Sequence, residues 1–283
     1  MTETKSPQAA ETVDWSQVKQ RHRAMWASGD YPAVVRDLIT PLGEVLVEAA
    51  GVQEGRSVLD VAAGTGNAAI PAALRGARVV ASDLTPELCT VGRREAETRG
   101  LDLFWHEGDA EDLPYDDAEF DVVMSCVGVM FAPRHQVAAQ ELVRVTRPGG
   151  TIAVLSWTPR GFIGEMFGTM KPFAPPAPAG ALPPPLWGDA EHVVQLLGDA
   201  VEDVAWERRE LVVDHFANAD AVLDYFKRCY GPTIAVYRSL EHEPGRTAEL
   251  DAALRALMQR HLVESDGRPT MRWEYLVLTA RRR

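Results

Sequence analysis

Aspartates stand at the ends of three successive apolar runs in this 283-residue chain. Asp60 lies near the end of Ser57-Val58-Leu59-Asp60-Val61-Ala62, Asp83 directly follows Arg78 to Ser82, and Asp109 comes shortly after Leu101 to His106. The first run is followed by Ala63-Gly64-Thr65-Gly66-Asn67, where glycine lets a ligand approach the backbone. A fourth run, Phe120 to Ser125, leads into Cys126-Val127-Gly128. Any one of these acids reads as well as a helix cap or a solvated turn. Their joint placement points to a ligand-binding edge.

Gly64 to Ala69 fits the dinucleotide pattern GxGxx(G/A), a weak signal by itself. No lysine or arginine falls within the turn segments after the first three runs. A pyrophosphate among so many carboxylates forfeits much of the attraction of a helix N-terminus. A ligand bearing a sulfonium and an ammonium gains from them instead, and S-adenosylmethionine is such a ligand. In this reading Gly64 and Gly66, with Asp60 and Ala63 beside them, admit the methionine portion. Asp83, next to Leu84, accepts from the ribose hydroxyls. Asp109 accepts from the adenine amino group, flanked by Ala110, whose amide is free to donate, and Glu111. Cys126 lies under the ring or the methionine chain. An NAD-dependent oxidoreductase of Rossmann type is the alternative, as is a non-methylating protein that binds S-adenosylmethionine.

The elements that position these residues alternate strand and helix. Thr85-Pro86-Glu87 opens a helix with a cap, a proline and an acid, and Pro133 to Val145 is helical with Val137, Leu142 and Val145 inward. Arg147-Pro148-Gly149-Gly150 turns into a fifth strand, Thr151 to Trp157. Five strands alternating with helices predict an α/β, doubly wound, mostly parallel sheet. Residues 1–13 read as a disordered tail and 14–50 as a helical cap, with Thr40 suited to an N-cap and Pro41 to the first helical position. Residues 55–157 form the cofactor-binding half, 158–270 a substrate-side or lid region, and 271–280 a final strand. The Pro-rich stretch 172–185 breaks helix and strand alike. Later elements are a helix over Glu191 to Leu197, a strand over Val201 to Val213, and helices over Ala219 to Tyr230 and Thr247 to Glu264.

The net charge of -12 argues against a nucleic-acid partner and against an anionic membrane surface. Cys89, Cys126 and Cys229 make no CxxC pair, and the seven histidines form no HExxH, so no metal is expected. With no long apolar run and a polar N-terminus, the chain reads as soluble and cytoplasmic, acting on a small molecule.

The stretches VLDVAAGTGNAAI (58–70), VVASDLTPEL (79–88), EGDAEDLPYDDAEFDVVMS (107–125) and ELVRVTRPGG (141–150) resemble the class I S-adenosylmethionine-dependent methyltransferases, and within them the ubiquinone/menaquinone C-methyltransferase branch. The resemblance covers about residues 55–157. It implies a seven-stranded sheet ordered 3-2-1-4-5-7-6 with strand seven, Arg272 to Ala280, antiparallel. Ala62 stands where many members have glycine. The resemblance also implies that Trp26 and Tyr31 close over the cofactor.

The fourth-strand end, Ser125-Cys126-Val127-Gly128, lacks the Asn/Asp-Pro-Pro-Tyr/Phe motif of enzymes that methylate planar amino groups. The expected reaction is methyl transfer to oxygen, carbon or nitrogen of a small, partly apolar metabolite, quinone- or polyketide-like. Met130, Phe131, Trp157, Phe162 and Trp187 are the candidate acceptor wall, with core packing the competing reading for each. Transfer from a sulfonium needs alignment and exclusion of water more than acid–base chemistry. His135 is the best-placed histidine for a base, ahead of His22 and His215, and no catalytic residue is assigned.

Overall fold

The computed structural model describes residues 13–283, so the expected tail over 1–13 lies almost wholly outside the described residues. The strands are β1 (Ser57–Val61), β2 (Arg78–Asp83), β3 (Phe104–Glu107), β4 (Phe120–Cys126), β5 (Thr146–Trp157), β6 (Val201–Val213), β7 (Val263–Ser265) and β8 (Arg268–Arg282). They run in the order β3-β2-β1-β4-β5-β8-β6, with β7 pairing only β8. Strands β1 to β5 pair in parallel, whereas β8 is antiparallel to both β5 and β6. This is the mixed α/β sheet expected of the class I methyltransferase fold, extended by a short hairpin.

The helices are α1 (Trp15–Trp26), α2 (Tyr31–Val34), α3 (Thr40–Ala49), α4 (Ala69–Leu74), α5 (Pro86–Thr98), α6 (His135–Val145), α7 (Phe162–Met170), α8 (Ala190–Leu197), α9 (Ala219–Cys229), α10 (Gly231–Ser239) and α11 (Pro244–His261). Central strands β1 and β4 are buried along almost their whole length because helices cover both sheet faces. Val58, Leu59, Val61, Val123 and Met124 are all fully buried. The strands therefore end together, and Asp60, Asp83 and Cys126 arrive at one edge.

Several local expectations change. Thr40 is not an N-cap. A π-helical turn, Val35–Ile39, joins α2 to α3, and the Thr40 hydroxyl donates to the Val35 carbonyl at 2.7 Å. The wider turn accommodates Pro41, which has no N–H for a regular helical bond. Thr85 precedes α5 without capping it through its side chain; its own amide donates to Asp83. Val137 is only half-buried, and Ala138 and Ala139 take the inward positions with Leu142 and Val145. Gly231-Pro232 ends one helix and starts another, α10, since proline suits the first turn. Asp266 and Gly267, both at positive φ, form the tight turn between β7 and β8.

The additions before β1 and after β5 meet over the ligand edge. Gly231 lies against the backbone of Met25 and Trp26, and Gly29 against that of Cys229, so α1 and the α9–α10 corner approach without side chains between them.

Candidate active site

The loop after β1 holds Ala62, Gly64 and Gly66 at φ 54°, 57° and 84°. Left-handed backbone suits glycine but costs an alanine about 1 kcal/mol or more. Facing it, Val127 after β4 sits at φ 46°, an unusual conformation for a β-branched residue. Gly128 packs on the Ala62 carbonyl, leaving no room for a Cβ. Two strained loops therefore meet at the mouth of the sheet, the kind of place where backbone strain concentrates at functional sites.

Between them opens a cleft of about 670 Å³, part of it open to solvent. Trp26, Tyr31, Gly64, Asp83, Leu84, Asp109 and Ala110 line it, together with Lys19, His22, Thr85, Val127 and Gly128. Asp83 is buried, accepting from the Gly64 amide at 2.7 Å and the Thr85 amide at 2.8 Å. Burial raises its pKa, and the two amides oppose the rise. Asp109 accepts from the Glu111 amide at 2.9 Å.

Asp60, Ala63, Gly66, Glu111 and Cys126 are not among the residues lining this cleft. Asp60 is fully buried with neither oxygen hydrogen-bonded. Burial pushes its pKa up to about 8; the Ala69 amide approaches closely enough to oppose this without completing a bond. Glu111 takes the Arg134 amide at 2.6 Å, the Arg134 guanidinium at 2.8 Å and the Lys19 ammonium at 3.0 Å. Its carboxylate is thus committed to the protein. Cys126 lies near the Asn67 amide group, at 3.7 Å.

The rim is less anionic than its turn segments indicate. Lys19, from α1, pairs with Asp109 as well as with Glu111, and Arg23 pairs with Glu107 at 2.8 Å. These cations come from a helix distant in sequence. Lys19, His22 and Trp26 recur at three- and four-residue steps, the spacing that puts side chains on one helix face. That periodicity was the available signal.

A second, apolar chamber adjoins the cleft, about 310 Å³ of space that is partly open to solvent, and shares Tyr31, Val127 and Phe131 with it. Phe131 and Trp157 of the expected acceptor wall line it; Met130, Phe162 and Trp187 do not. All three are fully buried: Phe162 stacks on Trp273 at 5.3 Å, and Trp187 packs beside His135. Val34 and Ile39 from the N-terminal helices and Ile163, Phe226, Tyr230 and Trp273 from late elements, in which no motif stood out, complete the wall.

His135 turns away from both cavities. It is fully buried, with Nδ1 3.0 Å from His192 Nε2, and burial with the second imidazole lowers its pKa to about 4. His215 packs against Phe216 and Tyr225. His22 is the histidine in the cleft, and burial lowers its pKa, favouring the neutral imidazole. Among the described residues no cluster of three or more His, Cys, Asp or Glu is placed to hold a metal ion, and no helix is long and apolar enough to cross a membrane.

A methyltransferase domain family model matches residues 59–154, which span β1 through most of β5. An uncharacterized protein of Mycobacterium tuberculosis is 49% identical over 92% of this chain and 94% of its own length. A demethylmenaquinone methyltransferase of Thermus thermophilus is 38% identical over 40% of this chain and 53% of its own. The chain belongs to the class I S-adenosylmethionine-dependent methyltransferases. Among solved structures, a geranyl diphosphate methyltransferase in complex with S-adenosylmethionine matches this methyltransferase with a TM-score of 0.51 and 16% identity, over 86% of this chain and 85% of that one. The [4+2]-cyclase SpnF matches at a TM-score of 0.58 and 19% identity, over 95% and 93%. At such identities these likenesses speak for the fold alone.

Proposed function

We propose that this methyltransferase transfers the methyl group of S-adenosylmethionine, held in the larger cleft, to oxygen, carbon or nitrogen of a small, partly apolar metabolite seated in the adjoining chamber. The observation that carries this reading is the shared wall: Tyr31, Val127 and Phe131 border both cavities, so a donor in one lies next to an acceptor in the other. The chamber's aromatic, uncharged lining favours a quinone- or polyketide-like compound over a strongly charged one.

The residues present fit the cofactor. Gly64 offers backbone without a side chain at φ 57°, and an added Cβ would occupy the space up to the Tyr31 ring, 3.4 Å away. Asp83 keeps acceptor capacity beyond its two amide bonds, suited to ribose hydroxyls. Leu84 supplies an apolar surface for the adenine, with Asp109 and Ala110 at its polar edge. Asp60, buried and unpartnered behind the loop, suits the cationic methionine end. Bound there, the cofactor supplies a methyl group already activated by positive sulfur. The chain's work is then to align the acceptor and keep water out, which Trp26 and Tyr31 do from above by packing edge to face at 5.2 Å. His22 is the candidate base where an acceptor arrives protonated.

In this reading residues 14–50 form a cap, 55–157 hold the cofactor and 158–270 shape the acceptor side. Incubation with S-adenosylmethionine and a panel of hydroxylated arenes should release S-adenosylhomocysteine and add one methyl mass to an acceptor. In thermal unfolding, saturating S-adenosylhomocysteine should raise the midpoint by about 2–8 °C. A shift with NADH and none with S-adenosylhomocysteine would overturn the reading.

A further inference from the structure

The chamber is apolar in its walls yet carries hydrogen-bond groups without partners among the described residues. The Tyr225 and Tyr237 hydroxyls, elsewhere, donate to Asp37 and Asp251. The Tyr31 and Tyr230 hydroxyls have no such partner among the described residues, and both stay accessible even though Tyr230 as a whole is only 5% exposed. Trp273 also lines the chamber, and its indole N–H is fully buried without an acceptor. A donor left unpaired once a ligand covers it costs about 1–3 kcal/mol, so the two accessible phenols favour a ligand that can accept from them.

Two chamber groups, the Tyr31 and Tyr230 hydroxyls, can donate, and no carboxylate, ammonium or guanidinium is among its lining residues. An amine acceptor held as an ammonium would find aromatic faces, which attract cations. It would nevertheless leave both phenol O–H groups without an acceptor. An oxygen on a flat ring supplies lone pairs to these donors while its carbon skeleton meets Phe131, Trp157 and Phe226.

We propose that the chamber selects an uncharged aromatic ring bearing oxygen, and that Tyr230 is a specificity-determining residue that donates a hydrogen bond to that oxygen. This rests on the chamber being the acceptor site. Tyr230→Phe removes one hydroxyl and keeps the ring that packs on Trp26 and Phe226 at 5.8 and 5.4 Å.

The test is equilibrium dialysis of 1-naphthol, naphthalene and 1-naphthylmethylamine against the protein with S-adenosylhomocysteine present. Wild type should hold 1-naphthol about tenfold more tightly than either of the others. Tyr230→Phe should weaken 1-naphthol about five- to tenfold, leave naphthalene unchanged and keep S-adenosylhomocysteine binding by calorimetry. Equal affinity for naphthalene, tighter binding of the ammonium, or an undiminished preference in Tyr230→Phe would each overturn the proposal. A wild type that binds no S-adenosylhomocysteine would instead refute the cofactor reading beneath it.

Discussion

Replacing Asp60 by asparagine removes a charge that the folded chain resists. The carboxyl is 1% exposed, without a completed hydrogen bond, and burial, with a further push from Asp83, moves its pKa from 3.8 to about 8. Below pH 3.8 the folded and unfolded chains both hold the proton, and the stability of the protonated form is fully present. Between 3.8 and about 8 the unfolded chain releases it while the folded chain keeps it, so stability falls as pH rises. Above about 8 both are ionised and the loss levels off.

Each pH unit in that window costs about 1.4 kcal/mol, so the accumulated penalty at pH 7 is on the order of 4 kcal/mol. Asparagine has nearly the same shape and no such titration. Asp60→Asn should therefore match the wild type near pH 4 and exceed its stability increasingly toward pH 8. Urea unfolding of both proteins without cofactor, repeated across this range, reads the difference directly. Parallel stability curves would refute the assignment of a protonated Asp60. By the role proposed for this carboxyl, the stabilised variant should also bind S-adenosylmethionine less tightly, exchanging affinity for stability.

Asp83→Asn should weaken S-adenosylhomocysteine binding by about 1–3 kcal/mol in calorimetry, because it loses an anionic acceptor and sets an amide group against the Gly64 or Thr85 N–H. Unchanged affinity in a folded variant would remove Asp83 from the site. Lys19→Ala releases Asp109 while Glu111 keeps Arg134, so S-adenosylhomocysteine should dissociate several-fold faster in stopped flow as α1 loosens. An unaltered dissociation rate would mean that this ion pair does not hold the cleft closed. Gly66→Ala places a Cβ at φ 84°, only 2.7 Å from the Trp105 ring. Strain and overpacking together should cost about 2–4 kcal/mol, seen as a clearly lower thermal midpoint.

The floor of the site was legible because strand and turn chemistry are local. Short, largely apolar runs marked β1, β2 and β4, and whatever follows such runs must gather at one edge of a parallel sheet. Even β6 has the expected bounds, Val201–Val213. The roof was not legible, because its residues are brought together only by long-range packing. Lys19 reaches Asp109 from the far side of three strands, and Tyr230 meets Trp26 through the bare backbone contact at Gly231. Large aromatics were ambiguous for a related reason. Phe162, Trp187 and Trp273 are all fully buried, yet only Trp273 borders the chamber, a distinction that composition and period cannot make.

That roof changes the electrostatic argument for the cofactor. Carboxylates counted along the turns suggest an anionic rim throughout, but α1 brings Lys19 and Arg23 down on Asp109 and Glu107. Attraction for a cation is therefore weak at the β3 end, where the proposed reading puts a neutral adenine. Asp83 and Asp60 form no salt bridge with a lysine, arginine or histidine among the described residues, and both lie at the glycine loop. A pyrophosphate docked on that loop would meet Asp83 at short range, in a buried setting that screens charge poorly. A sulfonium and an ammonium there would relieve it, and would also lower the Asp60 pKa toward ionisation. In the proposed reading the preference for a cationic methyl donor therefore rests on Asp83, with Asp60 adding to it once the bound cation favours its ionised form, rather than on the net charge of the whole edge.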